Sequence, residues 1–368
     1  MSLSEPSGAY QARHYRIAPD GRVVCEVCPR FCRLRPGQRG FCFVRVRPRD
    51  ARSPTLHLTT YGRSSGLCID PIEKKPLAHF LPGTPVLSLG TAGCNLACKF
   101  CQNWETSRAR AFDDGQVEAP PHAVALAAAA TGCRSVALTY NDPTIFLEYA
   151  VDIAREAHAY GIAAVAVTAG SITAPAREDL YAHMDAANVD LKAFTEAFYR
   201  RMTGGHLEPV KETLVWIARQ GRIHLEVTTL LIPGHNDSER EVRALAAWIG
   251  EHLGPSVPLH FSAFHPDFRL LDVPPTPPRT LRQARAWARA EGLWHVYTGN
   301  VHDREGDTTF CPGCGAPLIV RDWYEVLEYH LDPEGRCPGC ARPLEGVFDA
   351  EPGRWGRRRQ PVALRRRA

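Results

Sequence analysis

The segment Cys94-Asn95-Leu96-Ala97-Cys98-Lys99-Phe100-Cys101 holds three thiols in a CxxxCxxC arrangement, just after the short apolar run Val86-Leu87-Ser88-Leu89. Three thiolates can bind three irons of a cubane [4Fe-4S] cluster and leave the fourth iron without a protein ligand. An open iron is a place for chemistry, because a chelating ligand can bind there and receive an electron. The plainer use of clustered cysteines is a tetrahedral zinc site. Zinc asks for a fourth ligand, and Cys68 and Cys133, the extra thiols on either side, stand far from the triplet in sequence. Both read as ordinary buried thiols.

The chemistry that uses this spacing is reductive cleavage of S-adenosylmethionine, whose amino and carboxylate groups chelate the open iron while an electron enters the sulfonium. The product is a 5'-deoxyadenosyl radical that abstracts hydrogen from inert C–H bonds; the cofactor supplies this reactivity and the protein positions it. A zinc site leaves Phe100 unexplained. With Phe100 included, the segment resembles the radical S-adenosylmethionine superfamily, whose triplet carries an aromatic residue just before the third cysteine, packed near the adenine. The resemblance implies Cys94, Cys98 and Cys101 as the catalytic cluster ligands and puts Phe100 at the cofactor.

From Leu81 to about Asn300, short apolar strands alternate with helical stretches, which argues for β/α units around a parallel sheet. The expected strands are 86–89, 135–139, 163–168, 187–192, 223–232, 258–263 and 295–298. Helices are expected over 145–160, 195–202, 239–252 and 280–290, with Gly161 and Gly292 at helix ends. Six or seven such units are fewer than a full eightfold barrel requires. The expected fold is therefore α/β, an open partial barrel of (β/α)6 type over 79–305, whose functional groups sit at the C-terminal ends of its strands. A Cys-rich module, 1–78, precedes it. A ribbon-like module, 306–348, and a basic tail, 349–368, follow. The knuckles Cys311-Pro312-Gly313-Cys314 and Cys337-Pro338-Gly339-Cys340 read as a four-cysteine zinc ribbon, with rubredoxin-like iron as the alternative.

The period of two along a strand predicts which side chains share a face. It groups Asn188, Asp190 and Lys192, then His224, Glu226 and Thr228, then His260 and Ser262. Helices cover the outside of such a barrel, so these polar faces should line its cavity. Inward charge is costly unless it binds something polar. The set is read as cofactor or substrate lining, with mutually paired core charges as the structural alternative. Asn141 and Asp142 follow the second strand, where an amide and a carboxylate can accept an amino group; a turn and helix cap is the other use of those residues.

Bulk properties narrow the classes further. With 44% hydrophobic residues in 368, one large core plus smaller modules is feasible. The longest apolar stretch, the alanine-rich 123–130, is far short of a membrane span. Residues Met1-Ser2-Leu3-Ser4-Glu5-Pro6 lack the basic start and apolar run of an export signal. Thirteen cysteines grouped in CxxC-like units point to metal and a reducing cytoplasm rather than to disulfides. Much of the net charge of +4 sits in Arg354-Trp355-Gly356-Arg357-Arg358-Arg359 and Arg365-Arg366-Arg367. Such a run either binds nucleic acid or is a solvated end.

Taken together, several motifs sharpen the resemblance. They are Cys25-Glu26-Val27-Cys28-Pro29-Arg30-Phe31-Cys32 with Gly40-Phe41-Cys42, Asp70-Pro71-Ile72-Glu73-Lys74-Lys75-Pro76-Leu77, Gln102-Asn103-Trp104 after Cys101, Thr139-Tyr140-Asn141-Asp142-Pro143-Thr144, Val189-Asp190-Leu191-Lys192-Ala193-Phe194, Ile232-Pro233-Gly234-His235-Asn236-Asp237, and His260-Phe261-Ser262-Ala263-Phe264-His265-Pro266. The chain resembles the radical enzyme of the AmmeMemoRadiSam system, a relative of pyruvate formate-lyase activating enzyme, over about 24–347. That resemblance implies S-adenosylmethionine contacts from Asp142, Asp190, Lys192 and His260. Asp142 stands where glutamate is usual, and Ala169 where asparagine is common. The resemblance also implies a reducing electron donor, with Memo-type and AMMECR-type proteins as partners. Hydrogen abstraction from a glycine of a partner protein, or modification of a small molecule or an RNA, are both open. Cys25, Cys28, Cys32 and Cys42 suit either an auxiliary iron-sulfur cluster or a zinc. A reading from another class is a non-catalytic, metal-stapled adaptor that binds nucleic acid through the ribbon and tail.

Overall fold

Seven parallel strands, built largely from Val, Leu and Ala, carry the polar residues singled out above. The computed structural model describes residues 10–50, 53–109 and 116–364. In spatial order the parallel strands are Val296–Gly299, Leu259–Ala263, His224–Leu231, Ala186–Asp190, Ala163–Thr168, Ser135–Leu138 and Pro85–Leu89. Beyond Pro85–Leu89 the sheet continues with antiparallel Leu67–Pro71 and then Gln360–Val362. Its two edge strands, Val296–Gly299 and Gln360–Val362, do not pair with each other, so the barrel stays open.

Helices Pro121–Ala130, Leu147–His158, Ala174–Tyr181, Glu208–Gln220, Glu239–His252 and Pro278–Ala290 occupy the connections. Glu208–Gln220 shows the logic: Val210, Leu214 and Ile217 recur at helical spacing and are fully buried, and Gly221 ends the helix at φ +66°. No helix among the described residues is long and apolar enough to cross a membrane.

Two local expectations differ. The helix expected over 195–202 is one turn, Glu196–Phe198, followed by a π-helix, Tyr199–Thr203. The carbonyls of Met202 and Thr203 accept the Lys99 and Ala97 N–H groups at 2.9 and 2.6 Å, so the widened turn serves the cysteine segment. The strand expected to run to Lys192 ends at Asp190, and the Lys192 N–H instead donates to the Tyr199 hydroxyl at 3.0 Å.

Residues 67–71, within the segment read as the N-terminal module, belong to the main sheet. Residues 360–362 of the basic tail pair with them because that edge strand otherwise leaves a row of backbone donors and acceptors open. Arg365–Arg367 and Met1–Pro6, on which the readings of the extreme tail and of export bear, lie outside the described residues.

The N-terminal residues share the core of the barrel helices: Val23, Val44, Leu56 and Leu58 are buried in it. A buried ion pair fixes this docking. The Arg45 guanidinium meets the Glu148 carboxylate of helix Leu147–His158 in two bonds, 3.1 and 2.7 Å, with both residues at most 1% exposed. The Arg13 N–H also donates to Glu148 Oε1, at 2.6 Å. Glu148→Ala strands the guanidinium, so a loss of about 3–5 kcal/mol is expected, read as a lower urea midpoint. Adding Arg45→Met should recover part of it. An unchanged midpoint in the single variant contradicts the account.

Candidate functional site

The segment bearing Cys94, Cys98 and Cys101 leaves strand Pro85–Leu89 at its C-terminal end and is clamped on all sides. Beyond the two π-helix carbonyls, the Gly93 N–H donates to Thr106 O (3.0 Å) and the Lys99 carbonyl accepts from the Arg269 N–H (2.9 Å). The Asn95 amide donates to Ser171 O at 2.8 Å. Asn141 uses both ends of its amide here: Oδ1 accepts the Thr91 N–H, and Nδ2 donates to Thr91 Oγ1 and Gly93 O. Asn141 thus orients the approach to Cys94 as well as facing the cavity.

All three thiols line one cavity of about 510 Å³. Phe100 lines it too, 4% exposed, with its ring 5.9 Å from that of Phe198. From successive strand ends come Asn141, Asp142, Asp190, Lys192, Thr228, His260 and Ser262. Asp142 is buried, and its carboxylate accepts from the Thr144 N–H, Thr168 hydroxyl and Ala169 N–H. Burial raises its pKa, against those bonds. Lys192 Nζ donates to Asp190 at 2.7 Å. Burial pulls Lys192 down, but Asp190 and the Cys98 sulfur outweigh it and hold Lys192 as a cation.

Glu226 and Asn188, grouped with these by periodicity, lie deeper on the same strands and do not line the cavity. Glu226 is fully buried and accepts from the Ala78 and His79 N–H groups (2.9 and 2.7 Å), His224 (2.8 Å) and His260 (2.5 Å). Burial alone would raise its pKa, yet the two histidines hold it well below the carboxylate range. It therefore orients His260 from behind. Asn188 donates to Pro76 O at 2.7 Å and is likewise a structural tie.

The donor set suits a cubane with one open iron. Among the described residues, the group whose ligand atoms all lie within 4.8 Å of one another is Cys311, Cys314, Cys337 and Cys340, not the triplet. Burial and then Asp142 push the Cys94 thiol up, and burial pushes Cys98 up to about 11 despite Lys192. Neutral thiols in a buried pocket give up their protons when a metal centre binds. Thr228 Oγ1 is buried at the cavity wall with no hydrogen-bond partner, which fits a polar ligand such as S-adenosylmethionine.

The C-terminal four form a compact all-sulfur site that can hold a metal; Cys311 and Cys340 sulfurs approach to 3.5 Å and Cys314 and Cys337 to 3.6 Å. Burial raises the Cys311 thiol, but the N–H groups of Cys314 and Gly313 outweigh it and lower it to about 7. Cys25, Cys28, Cys32 and Cys42 gather at a second, smaller hollow. Cys68 and Cys133 are buried free thiols that line neither hollow and do not belong to the C-terminal four.

Periodicity did not reach the far wall of the cavity. Lys74, Lys75 and Tyr140 line it, each donating to the buried Asp70 carboxylate behind them, at 2.9, 2.8 and 2.9 Å. Asp307, Arg321, Trp323 and Tyr324 of the C-terminal region and Arg359 of the tail complete it. The Asp70-Pro71-Ile72-Glu73-Lys74-Lys75 motif was a visible signal for the first group; no local pattern marks the second.

The sequence model described as Radical SAM superfamily matches residues 88–246. An uncharacterized protein of Methanocaldococcus jannaschii is 40% identical over 340 residues, spanning 92% of this chain and 99% of that protein. Benzylsuccinate synthase activating enzyme of Thauera aromatica is 28% identical over 134 residues, 35% of this chain and 39% of that enzyme. Among solved structures, a domain of pyruvate-formate lyase-activating enzyme from Bacteroides vulgatus superposes with a TM-score of 0.40 at 15% identity, covering 45% of this chain and 99% of that one.

One cavity group has a measurable signature. Burial raises the Asp307 carboxyl to about 8, with Arg321 opposing. The folded chain then binds a proton that the unfolded chain has lost between its ordinary carboxylate pKa and about 8, so this group makes stability fall as pH rises through that window. Asp307→Asn should raise the unfolding temperature at pH 8 relative to the unaltered protein, with a much smaller gain at pH 4. An equal effect at both pH values contradicts the assignment.

Proposed function

The chain belongs to the radical SAM superfamily, and on that premise we propose that Cys94, Cys98 and Cys101 hold a [4Fe-4S] cluster with S-adenosylmethionine seated in the cavity beside it. One observation carries the reading: a single cavity is lined at once by all three thiols and by polar groups from successive strand ends. When bound, the cluster supplies the electron that cleaves S-adenosylmethionine to methionine and a 5'-deoxyadenosyl radical for hydrogen abstraction. The chain's own residues bind and orient. Lys192 and Asp190 offer a paired cation and anion, His260 is held by Glu226, and Thr228 offers an unused hydroxyl. Asp142 offers a carboxylate whose position is set by Thr144, Thr168 and Ala169. Phe100 supplies an aromatic wall.

The substrate side of the cavity is the wall made by Lys74, Lys75, Arg321, Trp323, Tyr324 and Arg359, with the buried Asp70 carboxylate holding the two lysines from behind. The four-cysteine site, read as zinc, stabilises the module that contributes Arg321, Trp323 and Tyr324. Within the superfamily, the motifs favour the radical enzyme of the AmmeMemoRadiSam system, activating-enzyme-like, with a low-potential electron donor and Memo-type and AMMECR-type proteins as partners. The adaptor reading is less well supported, since Gln360–Val362 are paired into the sheet and Arg359 turns toward Asp70 (3.8 Å) rather than forming a free basic arm.

The test is anaerobic reconstitution with iron and sulfide, reduction, and addition of S-adenosylmethionine. Alanine at any of Cys94, Cys98 or Cys101 should abolish 5'-deoxyadenosine formation while the far-ultraviolet circular dichroism is kept. Undiminished product in any of the three variants would sink the reading.

A further inference from the structure

The N-terminal thiols Cys25, Cys28, Cys32 and Cys42 enter none of the chemistry above. All four wall a hollow whose other sides include Val27, Phe41 and Ile145. Their sequence pattern is three thiols in a CxxCxxxC run and a fourth ten residues on, a 3+1 arrangement of the kind iron-sulfur clusters use; the C-terminal site has the paired CxxC knuckles of zinc ribbons. Their spacing differs too. Tetrahedral sulfurs around one zinc stand about 3.8 Å apart, which the C-terminal four approach. Among the described residues the N-terminal four do not gather within 4.8 Å, yet all four face one hollow.

We infer that Cys25, Cys28, Cys32 and Cys42 hold a second iron-sulfur cluster, of the [4Fe-4S] type, in electronic contact with the group on Cys94, Cys98 and Cys101. The two cysteine sets touch through the backbone. Gly93, which precedes Cys94, lies so close to Cys42 that a Cβ built on it would fall 2.2 Å from the Cys42 carbonyl oxygen. Arg30, between Cys28 and Cys32 in sequence, donates to the Asn95 carbonyl at 2.5 Å and to the Gly204 carbonyl at 2.6 Å. The short segment after Asp142 divides the two chambers: Asp142 faces the larger one, and Thr144 and Ile145 face the smaller.

The electron step balances simply. A low-potential one-electron donor of the ferredoxin class, or dithionite in vitro, reduces the N-terminal cluster from 2+ to 1+. That electron passes to the triplet cluster, which goes from 2+ to 1+ as the N-terminal cluster returns to 2+; no proton or covalent bond moves. The relay rests on the proposed function, whereas the second cluster does not.

The full-length Cys94→Ala, Cys98→Ala, Cys101→Ala triple variant is reconstituted with iron and sulfide. The expected result is about four irons per chain, against about eight in the unaltered protein, with a dithionite-reducible paramagnetic signal that S-adenosylmethionine does not shift. One zinc retained at the C-terminal site controls for folding. A triple variant with no iron and a second zinc overturns the proposal. About four irons in both proteins would support the N-terminal cluster and overturn the proposed function instead. In the fully reduced unaltered protein, the two signals should broaden each other, and Cys32→Ser should abolish the broadening; two non-interacting signals overturn the electronic contact.

Discussion

A buried carboxylate, Glu226, ties together the parts on which the cavity depends. It joins strand His224–Leu231 to His260 on the adjacent strand and to the backbone of Ala78 and His79 in the segment leading into strand Pro85–Leu89. Four hydrogen bonds compensate its burial, which is the condition under which an interior charge is tolerated. His79 continues the chain of contacts through Tyr297 (2.7 Å) to Thr309 (2.7 Å). The base of the cavity is thus connected to the start of the C-terminal module by a run of satisfied polar groups. Breaking it at its centre would release His260, the 78–79 backbone and the module contact together.

The C-terminal module is more than an appendage. Arg321 donates to the Ala78 carbonyl at 2.6 Å and to Thr309 at 2.9 Å, and Trp323 and Tyr324 beyond it face the same cavity as the thiols. An open barrel has a side without strands, and here sequence-distant residues contribute to that side. The tail adds to this by pairing with Leu67–Pro71, which directs Arg359 toward Asp70. The cavity lined by the three thiols is therefore a product of three stretches of chain.

Much of this was legible in the sequence, for physical reasons that differ by residue. The alternation of Asp190 with Leu191 and of Glu226 with Val227 made strand faces readable, and the parallel sheet followed from alternating strand and helix patterns. Periodicity assigns a face but not a depth. Asp190 and Thr228, near strand ends, reach the cavity, whereas Asn188 and Glu226, one step deeper on the same strands, are spent on backbone and histidine partners. The π-helix at Tyr199–Thr203 was invisible because its shape answers the backbone of Ala97 and Lys99, a tertiary demand with no local signature. Arg359 was hidden for a similar reason: a basic run looks solvated until an edge strand claims it.

The central claim is that the cluster on Cys94, Cys98 and Cys101 has an iron open to S-adenosylmethionine. The most direct measurement is electron paramagnetic resonance of the reduced, reconstituted protein with and without S-adenosylmethionine labelled with 17O in its carboxylate. The account predicts that the reduced-cluster signal shifts on addition and shows hyperfine coupling to the label. A fully loaded, reducible cluster whose signal neither shifts nor couples would contradict it.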